Sequence, residues 1–186
     1  MERMVSIDAS TSATGVAVFK KLKNGYKYEG HDLFTPEKFK YTKKTKDMTK
    51  TAYKTLHSAE KRQDMERRVL FMLRNIVPFL DKWKPSVVMI EDTYGQNDMM
   101  TYKMLCRIQG AVLDWARRNN AEIRFISPAS WRKKVGIPQT DANKQRIKRN
   151  KLKELAKIVV HNFFEIDVTD DEADAICIGL SLFMKG

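Results

Sequence analysis

Residues 3–19 have the sequence RMVSIDASTSATGVAVF, and this stretch decides the fold. Apolar and polar side chains alternate over residues 3–9, then Ser, Thr and Gly follow, and residues 16–19 are apolar again. The pattern predicts two strands joined by a turn whose tight position lies near Gly15. Asn24-Gly25 is a hairpin signal, so a third strand is expected over residues 26–34. The first third of the chain is therefore predicted to be an antiparallel meander.

The rest of the chain alternates predicted helices with short apolar runs. Residues 87–90 and 123–126 are predicted strands, and the first of them suits burial on both faces. Spacings of three and four predict helices, with boundaries near 58–83, 98–119, 129–135, 141–164 and from 170 or 171 to 184. Pro78 is expected to kink or end the first helix. We predict a single α/β domain over residues 1–186, with a mixed sheet covered by helices.

Length and composition exclude several classes of protein. The chain has 186 residues, 42% of them apolar and 31% charged, which is typical of a globular domain. No apolar run approaches the roughly 20 residues of a membrane span, and no signal peptide is recognised at the N-terminus. The two cysteines and three histidines lack structural zinc spacings. We therefore expect a cytoplasmic protein.

The net charge of +12 is concentrated in two segments. Residues 131–157 hold ten Lys and Arg against two acids, and residues 38–54 hold seven Lys against one acid. Such a distribution favours binding to the phosphate backbone of a nucleic acid. The alternatives are a device for solubility and a surface for acidic lipid.

Four acidic residues are placed where they could meet. Asp8 lies in the first predicted strand, and Glu91 follows the buried run that ends at Ile90. Asp171 and Asp174 are three apart at the start of the last helix, so they share one helical face. Each also has an ordinary interpretation, as a strand-end, surface or helix-N-terminal acid. The combination predicts one acidic cleft in a cationic protein.

An acidic cleft of this kind favours a divalent cation. Clustered carboxylates raise each other's pKa, and a cation removes that cost. Carboxylate oxygens suit Mg²⁺ or Mn²⁺, and two such ions could support hydrolysis of a phosphodiester. The chain has neither a Gly-rich phosphate loop nor a G-x-S-x-G motif, so a metal-assisted reaction is favoured over a protein nucleophile.

Four motifs, in order, resemble those of the RuvC-type Holliday-junction resolvases of the RNase H-like superfamily. They are Ile7-Asp8-Ala9-Ser10 with Thr14-Gly15-Val16-Ala17, Ile90-Glu91-Asp92-Thr93-Tyr94, residues 128–136 (PASWRKKVG), and Asp171-Glu172-Ala173-Asp174-Ala175. The match covers nearly the whole chain. The size and Lys-rich character of the chain look most like those of family members encoded by bacteriophages. This would place the protein in the cytoplasm of the bacterial host.

The resemblance implies a five-stranded mixed sheet, with three antiparallel and then two parallel strands, flanked by helices. It implies a homodimer that nicks opposed strands of a four-way DNA junction, with two Mg²⁺ per active site and Mn²⁺ able to substitute. The family's four acidic ligands match Asp8, Glu91, Asp171 and Asp174. Its aromatic wedge at the junction centre matches Tyr94. Met99, Met100, Met104 and Ile108 are expected in the dimer seam, mainly because of the resemblance.

Two departures from the family pattern leave alternatives open. The catalytic lysine of the family cannot be aligned uniquely, because Lys144, Lys148 and Lys151 all compete for it. In the bacterial enzymes a histidine can precede or replace the first acid of the final pair, and here the position holds Asp171. The segment 38–54 looks like a basic insertion, either a mobile arm that orders on DNA or a plain surface loop.

The basic residues after position 131 are expected to contact DNA phosphates without reading sequence. The predicted contacts are Arg132, Lys133, Lys134, Lys144, Lys148, Arg149 and Lys151. The predicted function is resolution of four-way junctions by a metal-dependent endodeoxyribonuclease. The alternatives are a broader nuclease that debranches forks and a junction-binding protein without catalytic activity.

Overall fold

A computed structural model of the chain describes residues 2–93 and 98–184. In these residues the chain forms five strands and five helices. The strands are β1 (Arg3–Asp8), β2 (Thr14–Leu22), β3 (Gly25–Phe34), β4 (Val87–Glu91) and β5 (Glu122–Ile126). The helices are α1 (Lys50–Trp83), α2 (Met99–Arg118), α3 (Pro128–Lys134), α4 (Arg149–Phe164) and α5 (Asp170–Leu180).

The strands form one mixed sheet in the order β3-β2-β1-β4-β5. β1, β2 and β3 pair antiparallel, while β4 lies parallel to β1 and β5 parallel to β4. The expected sheet of three antiparallel and two parallel strands is therefore confirmed. Because β1 and β4 are parallel neighbours, Asp8 and Glu91 end them at the same edge of the sheet.

Helices cover both faces of the sheet. α3, α4 and α5 enclose one apolar cluster, which contains the fully buried Trp131 and Ile176. α1 and α2 enclose the other, which contains Met72 and Ile108. Each large side chain buried in this way contributes about 1.5–3 kcal/mol, so the two layers fix the sheet edge on which the acids lie.

Helix α1 is longer than the sequence predicted. It begins at Lys50, capped by the Thr49 hydroxyl, and passes through Pro78 to Trp83 without ending near Val77. Ile76 and Leu80 flank the proline and are fully buried. Their burial holds the helix together although Pro78 lacks one backbone hydrogen bond.

The expected helix over residues 141–164 begins only at Arg149. Asp141 does not cap it. Its carboxylate instead accepts hydrogen bonds from the backbone N–H groups of Asn143 and Gln145, both at 2.9 Å. Lys144 then adopts a left-handed conformation, with φ of 61°. An Asp side chain that bonds the backbone two residues on makes a tight turn, and this turn replaces the predicted first two helical turns.

Two other expectations need correction. Met104 and Ile108, expected in a dimer seam, are buried in the core of the chain itself, because they face the sheet from α2. Met99 and Met100 stay largely exposed at the start of the helix. The last helix ends at Leu180 rather than at Met184.

Among the described residues, no helix is long and apolar enough to cross a bilayer.

Candidate active site

The acidic cleft at the edge of the sheet brings four carboxylates together. Asp8 and Glu91 end neighbouring strands, and Asp171 and Asp174 lie in the first turns of α5, which packs across β1 and β2. Burial raises the pKa of Asp8 well above its usual range, and the charges of Glu91, Asp174 and Asp171 raise it further. Such mutual effects need short separations, so acids that are far apart in sequence meet in one cleft.

Gly15 allows α5 to approach the sheet closely. It pairs with Asp8 across β1 and β2, and a Cβ at this position would lie 2.1 Å from the backbone oxygen of Asp171. Its role is therefore close packing within β2, not the turn that the sequence suggested. The Ser6 hydroxyl adds a second attachment by donating to the backbone oxygen of Ala175 at 2.7 Å. Together these contacts place the start of α5 beside Asp8.

A capping box fixes the first turn of α5. The Thr169 hydroxyl accepts from the backbone N–H of Glu172, and the Glu172 carboxylate accepts in return from the backbone N–H of Thr169 at 2.8 Å. Thr169 is therefore the helix cap, and Asp170 is the first helical residue. Asp170 pairs with Lys157 at 2.9 Å. This leaves Asp171 and Asp174 one turn apart on the face beside the sheet.

Asp174 is the most enclosed acid of the cleft, with only 6% of its surface exposed. Burial raises its pKa to about 7, and the charges of Glu91 and Asp171 add to that effect. The Arg132 guanidinium and the Lys153 ammonium act in the opposite direction. Asp174 therefore gives up its proton less readily than an exposed aspartate.

Glu91 is held by two hydrogen bonds from different elements. The indole N–H of Trp131 in α3 donates to Glu91 Oε2 at 2.7 Å, and the side-chain amide of Gln109 in α2 donates to the Glu91 backbone oxygen at 2.9 Å. Burial raises the pKa of Glu91, while Trp131, Arg132 and Arg149 oppose that rise. The tryptophan of the PASWRKKVG motif thus orients one of the acids, a role that the sequence alone did not reveal.

The lysine nearest the acids is Lys153, which the sequence analysis did not select. Its ammonium lies 3.1 Å from Asp171 Oδ1 and 3.7 Å from Asp170 Oδ2. Its charge also lowers the pKa of Asp8. The sequence signal that could have indicated Lys153 is its place beside the buried face of α4, which contains Leu152 and Ala156.

The three lysines expected to compete for the catalytic position lie elsewhere. Lys144 is exposed in the turn before α4, and Lys148 is the exposed residue that precedes its first turn. Lys151 pairs with Glu154 at 2.9 Å on the outer face of the helix. Because the chain turns at Asp141 instead of entering a helix, Lys144 and Lys148 do not share a helical face with Lys151.

Arginine residues border the cleft. Arg132 stacks its guanidinium 4.6 Å from the centre of the Trp131 ring and is close enough to lower the pKa of both Glu91 and Asp174. Within residues 2–93 and 98–184, its buried Nε has no hydrogen-bond partner. Arg149 is exposed at the start of α4, and its charge lowers the pKa of Glu91. Lys133 and Lys134 are exposed at the end of α3.

The donor chemistry of the cleft fits Mg²⁺ or Mn²⁺, because carboxylate oxygens are the preferred ligands of both ions. Burial is the main cause of the raised pKa values of Asp8 and Asp174, and the charges of neighbouring acids add to it. Within residues 2–93 and 98–184, however, no three His, Cys, Asp or Glu side chains form a ready-made metal site. Two of the acids have an oxygen occupied by a donor of the protein, Trp131 for Glu91 and Lys153 for Asp171. Each of these carboxylates has a second oxygen that can accept a cation.

Tyr94, the expected aromatic wedge, lies outside the described residues. The chain is described again from Asp98, whose carboxylate caps α2.

Solved structures with similar folds include three Holliday-junction resolvases. RuvC from Thermus thermophilus, in complex with a Holliday junction substrate, matches with a TM-score of 0.62 and 13% identity, covering 96% of this chain and 91% of that one. The fowlpox virus Holliday junction resolvase matches with a TM-score of 0.54 and 15% identity, covering 97% and 96%. The yeast mitochondrial Holliday junction resolvase matches with a TM-score of 0.50 and 12% identity, covering 97% and 78%.

The chain has the RuvC-type resolvase fold. The agreement extends over nearly the full length of the chain, so the sheet and its helices correspond as a whole. No family model and no curated protein matches the sequence. The RuvC-type fold is thus shared at low identity, and the activity has to be argued from the cleft.

Proposed function

We propose that this protein is a metal-dependent, structure-selective endodeoxyribonuclease that resolves four-way (Holliday) junctions by paired hydrolysis of phosphodiesters. The observation that carries the proposal is the convergence of Asp8, Glu91, Asp171 and Asp174 at one edge of the sheet, on a chain with a net charge of +12. The net positive charge attracts an anionic substrate, and the four acids provide a place within the protein for cations to bind.

Asp8, Glu91, Asp171 and Asp174 are the residues that would hold two Mg²⁺ ions, with Mn²⁺ able to substitute. When bound, the ions supply the positive charge that activates a water molecule and stabilises the leaving oxygen. Trp131 keeps Glu91 pointed into the cleft. Lys153 provides a cation beside Asp171 that can face the charge developing on the phosphate.

The DNA partner is held by the basic residues around the cleft. The charges of Arg132 and Arg149 act on Glu91, and further positive charge comes from the exposed Lys133, Lys134, Lys144, Lys148 and Lys151. Lysines outnumber arginines in this set, which favours phosphate contacts over reading of guanine edges. We therefore propose selection by the shape of branched DNA, and a homodimer that presents two clefts to one junction.

A three-substrate assay tests this function. A labelled four-way junction, a fork and a linear duplex are incubated with the protein and Mg²⁺, and the products are mapped on denaturing gels. Symmetric paired nicks in the junction alone are expected. Equal cutting of all three substrates would favour the debranching nuclease. Binding without nicking in Mg²⁺ and in Mn²⁺ would favour a junction-binding protein.

Asp8→Asn is expected to abolish nicking while leaving junction binding intact. The substitution removes a carboxylate whose pKa is raised by burial and by its acidic neighbours, so the melting temperature should stay the same or rise. Binding is measured by gel shift and stability by calorimetry. A lower melting temperature together with lost binding would show that Asp8 has a structural role.

A further inference from the structure

Helix α1 projects far beyond the edge of the sheet that carries the acids. α1 and α2 run parallel, because Trp115 donates to Asp81 near their C-terminal ends at 2.7 Å, while Lys61 lies near Asp98 at the start of α2. The pKa of Asp98 is lowered by its hydrogen bonds to Thr101 and Met100 and, more weakly, by the Lys61 charge.

The length of this projection follows from helix geometry. Gln109 of α2 is level with Glu91, to whose backbone oxygen it donates. α2 begins at Met99, which places its first residue about 15 Å beyond that level at ~1.5 Å per residue. Lys50, where α1 begins, lies eleven residues before Lys61 and so about 16 Å further still. The tip of α1 thus stands about 30 Å beyond Glu91 along the helix axis.

The preceding segment packs back along this projection and forms with it what we call the basic arm, residues 35–62. The Tyr41 hydroxyl donates to the buried Asp64 carboxylate at 2.9 Å, and the backbone N–H of Thr42 donates to Glu60 at 3.1 Å. Arg67 reaches the backbone oxygen of Glu37. These contacts hold the segment against α1.

The surface of the basic arm is strongly cationic. It carries nine Lys and Arg side chains and three acids. One open groove on α1 is lined by Lys54, Thr55, Ser58, Ala59 and Arg62, and all five are exposed. It offers two cations with two hydroxyl groups between them and no carboxylate, which is the chemistry of a site for backbone phosphate.

We propose that the basic arm binds the duplex of a substrate DNA arm about 14–26 Å from the point of cleavage, with Lys54 and Arg62 on its phosphates. This inference rests on the proposed function for the identity of the substrate. At ~3.4 Å per base pair the contact falls about four to eight base pairs from the scissile phosphate. Duplex length beyond the branch point then contributes to affinity.

A second copy of the chain is a poor occupant for the same surface. Two-fold contact would place one cationic arm against the other, and like charges at close range repel. The backbone phosphates of DNA instead release their counterions when they meet lysine and arginine.

The test compares junctions whose arms, closed by hairpin loops, have about 4 or about 20 base pairs, and so end before or beyond the position of the proposed contact. The wild-type protein is expected to bind the long-arm junction at least about tenfold more tightly. Lys54→Gln combined with Arg62→Gln should remove that preference and lower the slope of log K against log salt by about 2. Both side chains are exposed, so the melting temperature should not change.

Two matched variants serve as controls. Lys23→Gln with Lys27→Gln removes the same charge from the β2–β3 hairpin at the opposite edge of the sheet, and it should keep the preference for long arms. Lys54→Arg with Arg62→Lys keeps both charges in place and should bind like the wild type.

Two results would overturn the inference. One is an unchanged arm-length preference and salt slope in the Lys54→Gln, Arg62→Gln protein. The other is a loss of self-association in that protein without DNA, measured by sedimentation, which would assign the arm to a second copy. If the wild type shows the preference for long arms but nicks no DNA, the proposed catalysis fails while the phosphate contact of the arm stands.

Discussion

Residues other than the four acids of the cleft determine the direction in which the Glu91 carboxylate points. Trp131 is fully buried and has one polar atom, and that atom is bonded to Glu91. A ring locked by packing cannot turn away, so the carboxylate keeps one direction. Arg132 covers the same ring from its solvent side and adds a positive charge near the cleft. The acid is therefore positioned by a side chain that does not itself take part in hydrolysis.

Trp131→Phe is expected to reduce junction cleavage by about tenfold or more, since partners of this kind tune metal-binding acids by about 10- to 100-fold. Loss of the donor and of ring volume should also cost about 2 kcal/mol of stability. Nicking rates under single-turnover conditions and urea unfolding measure the two effects.

Trp115→Phe is the matched control. Trp115 is also buried and donates its indole N–H to an acid, Asp81, but at the far end of α2. A similar loss of stability with unchanged cleavage is expected. Equal loss of cleavage in both variants would contradict a specific role for Trp131.

At the scale of elements, the packing of α5 against β1 and β2 assembles the cleft. α5 supplies two of the four acids, and every residue from Ala173 to Leu180 is buried. The closest approach is at Gly15, where the helix backbone leaves no room for a side chain. The position of Asp171 relative to Asp8 therefore depends on a missing methyl group.

Gly15→Ala is expected to push the start of α5 away from Asp8. Overpacking of this kind costs about 1–3 kcal/mol, and a displacement of about 1 Å in a catalytic group can cost about a hundredfold in rate. Cleavage should fall far more than stability alone explains. Thermal unfolding and nicking assays at a temperature where the variant is folded separate the two.

Gly110→Ala provides the comparison for this prediction. Gly110 lies on the exposed side of α2, and a Cβ there meets no atom within 4 Å. Alanine in an exposed helix should raise stability by up to about 1 kcal/mol and leave cleavage unchanged. If Gly15→Ala cleaves as well as Gly110→Ala, the close approach is not needed for activity.

At the scale of the whole molecule, the acids form a cluster that destabilises the fold when it is fully ionised. The pKa of Asp174 is about 7 in the folded protein, against an ordinary value of 3.8. Between about pH 4 and about pH 7 the unfolded chain has lost this proton while the folded chain keeps it. The contribution of Asp174 to the free energy of unfolding therefore falls as pH rises from about 4 to about 7, and it is lowest above about pH 7.

The wild-type protein in EDTA is expected to lose stability between pH 5 and pH 8 relative to the Asp174→Asn protein, which has no proton to lose at that position. The measurement is the difference between the two melting temperatures across the range. Mg²⁺ at pH 8 should reduce this difference. A difference that does not change with pH would show that Asp174 has an ordinary pKa.

The sequence predicted the sheet and the order of its helices well, since both follow from local periodicity. It did not predict where α4 begins, because the turn at Asp141 depends on side-chain bonds to the backbone that periodicity does not report. The misplaced boundary gave weight to Lys144 and Lys148, which lie before the helix begins. The interaction of Trp131 with Glu91 spans forty residues, so only the folded chain shows it.

The dependence of the cleft on α5 also bears on how the protein is made. Asp171 and Asp174 are added to the chain after all five strands, and the same helix closes the apolar layer over one face of the sheet. A growing polypeptide on the ribosome therefore lacks half of the acids and has an open interior until Leu180 has emerged. We expect such a nascent chain to lack the complete set of acids on which the proposed reaction depends.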